Sequence, residues 1–226
     1  MKTAYRKEWK YVISIAEYLR LKPWLEQLLQ PDAHGIDGTY TVRSLYFDSL
    51  YDRDFYDNLD GVLEKRKIRL RCYPPDFGHA SLEYKAKDGS DGFKRHVTLG
   101  ADEIRAVQQG DYSCLAAKDD AVARGIYQRM IQGVYRPKTV IEYTRTAYLY
   151  PVSDTRITFD QKQRATGTGI GFLEKEPSFL PLMPDNMGVL EMKYNDFLPY
   201  PIMGLMQNLD RLWQANSKYT QARELI

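Results

Sequence analysis

The sequence is short of the residues on which most metal and nucleophile chemistry relies. Cys72 and Cys114 are the only cysteines among 226 residues, which excludes a disulfide framework and any CxxC metal pair. A reducing cytoplasm is therefore the expected location. Histidine occurs three times. His34 and His79 fall in expected loops and His96 on an expected strand among bases, so no Ser-His-Asp or Cys-His arrangement can be assembled. No window approaches the roughly 20 apolar residues that a membrane helix needs. The opening Met1-Lys2-Thr3-Ala4-Tyr5-Arg6-Lys7-Glu8 is too polar to begin a signal peptide. An excess of one charge is missing as well: Lys and Arg total 32 against 30 Asp and Glu, a net charge of +2. Any attraction to an anion must come from how the charges are arranged.

What is present is material for a sheet. Hydrophobic residues make up 43% and tyrosine occurs 18 times, much of it in β-like runs. No internal repeat or long Pro/Gly/Ser linker divides the chain, so residues 1–226 are expected to form one domain. Strands are predicted at 7–13, 39–48, 63–73, 80–87, 93–99, 138–150, 155–160 and 188–194. Ser14 with Glu17 forms a capping-box pattern that opens a helix towards Gln30, broken or kinked at Pro23. Ser49 and Asp52 open a short helix ending near Gly61. Further helices are expected at 101–109, 119–132, 201–215 and 217–225. Strands outnumber helices and join through short turns such as Pro74-Pro75, so the fold class is α+β with an antiparallel sheet.

Alternate strand positions share a face. One parity is largely apolar: Ile68 and Leu70; Leu82, Tyr84 and Ala86; Ile157 and Phe159; Leu190 and Met192. The other gathers Lys10, Lys67, Arg69, Arg71, Lys85, Lys87, Arg145, Arg156 and Lys193, opposed only by Glu8, Glu83, Asp160 and Glu191. A single strand of this kind reads as an ordinary solvated face. Repetition across strands with one dominant sign is different, because like charges facing across a ladder repel. Such a face is favourable when it meets a polyanion. Arginine matches phosphate oxygens with a two-pronged fork, and lysine acts as a point charge. The minority carboxylates suit a hard divalent cation held among oxygen ligands.

These segments resemble the VTC domain, the polyphosphate polymerase module of the vacuolar transporter chaperone family, in its stand-alone bacterial form. That family lies within the CYTH-like triphosphate tunnel metalloenzymes. The matches run in order along nearly the whole chain: 8–14 (EWKYVIS), 42–48 (VRSLYFD), 66–71 (RKIRLR), 82–85 (LEYK), 93–95 (FKR), 140–145 (VIEYTR), 156–160 (RITFD), 190–193 (LEMK) and 217–219 (SKY). The resemblance implies an eight-stranded antiparallel barrel, a tunnel with helices packed outside. It implies that Lys10, Arg69, Arg71, Lys85, Lys94, Arg145 and Arg156 hold a nucleoside triphosphate or polyphosphate. Glu191 would bind the metal, manganese before magnesium, while Ser217 and Lys218 hold phosphate near one mouth. Arg43 fits the motif, although its parity relative to Leu45 and Phe47 does not settle its face. The superfamily's ExExK signature is incomplete, because Arg6 stands where its first Glu would be. That loss weighs against a two-metal hydrolase more than against a polymerase.

The expectation is thus a metal-dependent transferase that passes the γ-phosphate of ATP to a polyphosphate chain. Lys10, Arg69, Arg71, Lys85, Arg145, Arg156 and Glu191 would form the catalytic set. Arg43, Lys67, Lys87, Lys94, Lys193, Ser217 and Lys218 would bind substrate, and Glu191, Glu8 and Glu83 the metal. Tripolyphosphate or nucleoside triphosphate hydrolysis and a non-catalytic polyphosphate-binding module are the rivals. Gly167-Thr168-Gly169-Ile170-Gly171 lacks the Lys-Ser/Thr ending of a phosphate-cradling loop and reads as a turn. Tyr5, Tyr11, Tyr46 and Tyr73 near bases read as packing residues, and nucleic acid is not an expected partner.

Overall fold

The computed structural model describes residues 6–89, 91–167, 171–207, 209 and 212–226. Tyr5 and the Thr168–Ile170 part of the Gly-containing loop lie outside the described residues. Ten strands and seven helices follow one another as β1 (Arg6–Ser14), α1 (Ile15–Leu28), β2 (Gln30–Pro31), β3 (Thr39–Asp48), α2 (Arg53–Leu59), β4 (Glu64–Tyr73), β5 (Asp76–Asp88), β6 (Asp91–Gly100), α3 (Ala101–Gln108), α4 (Ser113–Ala117), α5 (Ala121–Gln132), β7 (Arg136–Tyr150), β8 (Thr155–Gly167), β9 (Leu180–Pro181), β10 (Met187–Asn195), α6 (Tyr200–Gln207) and α7 (Lys218–Leu225). Hydrogen-bonded neighbours run β1-β10-β8-β7-β3-β4-β5-β6, with β2 on β7 and β9 on β8. The class is α+β with an antiparallel sheet. The eight-stranded barrel of the sequence reading is not reproduced as a closed ring: no pairing joins β1 to β6 among the described residues.

The chain divides into two compact units. The first comprises Met1–Thr41, Tyr143–Gln163 and Met183–Asn216, the second Val42–Glu142, Arg164–Leu182 and Ser217–Ile226. In the first, Ile157 and Phe159 of β8 and Leu190 and Met192 of β10 are fully buried against Tyr18, Leu21 and Leu25 of α1 and Ile202, Leu205 and Met206 of α6. In the second, Leu45 and Phe47, Ile68 and Leu70, Leu82, and Val97 and Leu99 from four successive strands pack with Ile104 and Val107 of α3 and Ile126 and Met130 of α5. The apolar parity of each strand is therefore the core face, and each large side chain removed from water contributes about 1.5–3 kcal/mol.

Local departures have local causes. The Ser14 hydroxyl accepts from Glu17 N and the Glu17 carboxylate accepts from Ser14 N, the expected capping box. Helix α1 continues through Pro23, which lies on its exposed side away from the Leu21 and Leu25 stripe that holds the helix down. Helix α2 starts at Arg53, whose N donates to Ser49 Oγ at 3.0 Å, and the Asp48 carboxylate adds a cap by accepting from Asp54 N and Phe55 N, each at 2.9 Å. Strand β8 runs past Asp160 because Gln163 and Ala165 are buried; Lys162, at φ 52°, breaks the alternation there. Helix α6 spans Tyr200–Gln207, against an expected end at Ala215; beyond it Leu209 is buried, whereas Leu212 and Trp213 are exposed.

Candidate functional site

In the second unit, strands β4, β5 and β6 place Lys67, Lys85 and Lys94 directly abreast, in register across two ladders. Opposed residues in such pairs have Cβ atoms about 5 Å apart, so three ammonium-bearing stems share one rank. The next rank reads Tyr46, Arg69, Glu83 and His96 across β3 to β6, and the one beyond it Ser44, Arg71, Ser81 and Thr98. The sheet thus sorts the basic parity into ordered rows, which strand-by-strand reading cannot do. Lys87 continues the face opposite Lys65 and is exposed. His96, set aside as non-catalytic, lies on this face beside Glu83.

One carboxylate organises the bases. Glu83 is buried, and its Oε2 accepts from Arg69 Nε at 2.7 Å. Lys94 Nζ donates to Oε1 at 2.7 Å, and Arg71 Nη1 stands 3.7 Å from the same oxygen. Burial pushes the Glu83 carboxyl up, but the charges of Arg69 and Arg71 and the bond from Lys94 outweigh it and hold it at about 2. Beside them the Tyr46 hydroxyl accepts from Arg69 Nη1 at 3.0 Å, and its ring stacks on Tyr219. Burial raises this phenol as well, yet the charges of Arg69, Arg71 and Lys67 draw it from 10.0 to about 8. Only a strongly positive surrounding overcomes the desolvation of a buried phenolate. Tyr46 thereby becomes part of the site; the ladder register, absent from the sequence, is the signal that finds it.

Ser217 and Lys218 open α7 in the same unit. Ser217 caps the helix by accepting from Thr220 N, and Lys67 Nζ donates to its hydroxyl at 3.0 Å. The α7 start therefore stands beside the lysine rank. Arg43 takes a different place. Its guanidinium is buried, with Nε donating to Glu142 at 2.6 Å and Nη1 to the carbonyls of Gly171, Phe172 and Glu174. Arg164 shares Glu142. Arg43, an expected substrate contact, ties β3 to β7 and the 171–174 segment.

The first unit carries the remaining candidates, and there the charges alternate. Glu8, Lys193 and Arg156 form one rank, and Lys10, Glu191 and Thr158 the next. Lys10 Nζ meets Glu8 at 2.8 Å and the carbonyl of Asn216 at 3.0 Å, while Lys193 bonds Glu191 and stands 3.6 Å from Glu8. Arg145 makes a two-pronged pair with buried Asp160 at 2.7 and 2.8 Å. Arg156 donates to Asp32 at 2.6 Å and to Tyr40 at 2.8 Å, two partners the sequence reading did not name. Nearly every base described here has an acid beside it.

Oxygen donors suited to a divalent cation are found in this first unit. Glu191 is buried, Glu8 lies one rank away, and the Thr158 hydroxyl, opposite Glu191, is buried without a hydrogen-bond partner. An orphaned hydroxyl beside a carboxylate fits a hard cation that takes oxygen ligands and retains water. Among the described residues no three Asp, Glu, His or Cys groups converge, so the donor set is sparse. Glu83, the third expected metal ligand, lies in the second unit and bonds Arg69 and Lys94.

Two solved structures share the fold. A Bacillus halodurans protein assigned provisionally as an adenylate cyclase aligns over 94% of this chain and 94% of its own, with TM-score 0.55 and 10% identity. The PH1819 protein of Pyrococcus horikoshii OT3 aligns over 98% and 100%, with TM-score 0.51 and 11% identity. No curated protein matches the chain. A family model, the VTC domain, matches residues 5–226, in agreement with the resemblance read from nine ordered segments. The chain belongs to the VTC domain family.

Proposed function

We propose that the protein is a polyphosphate polymerase, whose second unit holds a string of phosphates on its basic face. The observation that carries this reading is the rank of Lys67, Lys85 and Lys94 beside Arg69 and Arg71, gathered round buried Glu83. Like charges so arranged repel one another, and a multiply charged anion converts that repulsion into attraction. Membership of the VTC family and a fold shared with the neighbours above support a triphosphate as the ligand. Closure of the sheet into an eight-stranded tunnel belongs to the proposal.

In this reading an oxygen of the terminal phosphate of a polyphosphate chain attacks the γ-phosphorus of ATP. The bond from that phosphorus to the β-bridging oxygen breaks, and ADP leaves. The attacking oxygen is already anionic, so no side chain has to remove a proton, in keeping with the lack of any nucleophile–base pair in the sequence. Lys85, Arg69 and Arg71 align the phosphates and stabilise charge on the oxygens in the transition state. In the first unit Glu191, with Glu8 and Thr158, would hold a manganese or magnesium ion, which would supply positive charge there.

Purified protein incubated with ATP and manganese, then resolved on a polyacrylamide gel, tests the reading. Long polyphosphate is the expected product. Orthophosphate released from tripolyphosphate would show a hydrolase, and tight polyphosphate binding without turnover a binding module. Cyclic AMP would extend to this chain the assignment of its Bacillus neighbour. Failure both to turn over and to bind any oligophosphate overturns the proposal entirely.

A further inference from the structure

An acid at the centre of an anion site is a paradox, since its charge opposes the ligand. Glu83 resolves it by position. Its carboxylate is buried and has partners on both oxygens: Arg69 at Oε2, with Nη2 at 2.6 Å, and Lys94 with Arg71 at Oε1. These partners come from β4 and β6, on either side of β5, which carries Glu83 itself. We infer that Glu83 is a positioning residue: it fixes the directions in which Arg69, Arg71 and Lys94 meet a phosphate, and it does not bind the metal. The inference rests on the second unit's face being the phosphate site.

Long basic side chains lose rotamer freedom when a ligand immobilises them, and that loss weakens binding. A buried carboxylate that has already ordered three of them removes the penalty beforehand. Arg69 is fixed on two sides, by Glu83 at Nε and Nη2 and by the Tyr46 hydroxyl at Nη1. Glu83 is held at about 2 and is therefore ionised at neutral pH. As a metal ligand it would have to release partners, leaving the largely buried Arg71 and the partly buried Arg69 uncompensated.

The sign of one measurement separates the possibilities. Glu83→Gln removes a negative charge from an anion site, so a merely repulsive Glu83 predicts tighter binding. Positioning predicts weaker binding despite the gain in positive charge. Titration calorimetry of inorganic tripolyphosphate in metal-free buffer should give an affinity weaker by about tenfold in Glu83→Gln, with Glu83→Asp recovering part of the loss. The same ratio should hold when manganese is added. Equal or tighter binding by Glu83→Gln, or a loss that appears only with manganese, overturns the inference. Where Glu83→Gln does not fold, Glu83→Asp decides alone: its charge is unchanged, so undiminished affinity refutes a positional role. Wild-type protein that fails to bind tripolyphosphate at all refutes the phosphate-site reading instead.

Discussion

Tyr46 carries a measure of the electrostatics in its own ring. A phenol at about 8 in a buried position exists only where positive charge outweighs desolvation. The difference in phenolate absorbance between wild type and Tyr46→Phe should titrate with a midpoint near 8, well below the ordinary 10.0. Saturating tripolyphosphate should move that midpoint upward, because bound anion disfavours a second negative charge. A midpoint that stays fixed or falls would place the anion elsewhere. Residue identities on this face were legible beforehand, because Lys67, Arg69, Arg71 and Lys85 all fall on the non-core parity of their strands. What alternation could not give was partnership. Glu83, a candidate metal ligand by composition, belongs to three bases, and Arg43, drawn in by its motif, belongs to Glu142 and three carbonyls.

Among the elements, α2 and α7 are joined through two aspartates, buried Asp48 and partly exposed Asp52. Asp48 caps α2 and accepts from the Tyr219 hydroxyl of α7 at 2.5 Å, and Arg223 reaches Asp52 at 3.0 Å. Asp54 is buried close by and accepts from Tyr135 at 2.9 Å. Burial, and then the charge of Asp48, push Asp54 up to about 6. A carboxyl raised on folding binds its proton more tightly in the folded state. Its contribution is full at pH below about 4 and is lost as pH rises through 6. Asp54→Asn should therefore gain stability relative to wild type as pH rises from about 4 to 7, on the order of 2 kcal/mol. Denaturant unfolding at several pH values checks this, and a difference that stays constant with pH would contradict it. Such ties are invisible in sequence, since Tyr135 lies 81 residues from Asp54 and Tyr219 171 residues from Asp48. Strands with a clear apolar parity were placed within a few residues. Asp48 joins Ser49 in capping α2, a partnership decided by tertiary packing.

At the scale of the molecule, a net charge of +2 conceals a division. The first unit sets Lys10, Lys193, Arg145 and Arg156 against Glu8, Glu191, Asp160 and Asp32, whereas the second brings Lys67, Lys85 and Lys94 abreast and gathers Arg69, Arg71 and Lys94 on Glu83. The basic parity was readable from each strand; the abreast arrangement needed the strand order. Calorimetric titration of tripolyphosphate into metal-free protein over a range of salt concentrations tests this most directly. Wild type should bind with an affinity that falls steeply as salt rises, and Lys85→Gln should bind about tenfold more weakly with a shallower salt dependence. Affinity indifferent to salt, or unchanged by the loss of Lys85, would contradict a phosphate site on this face.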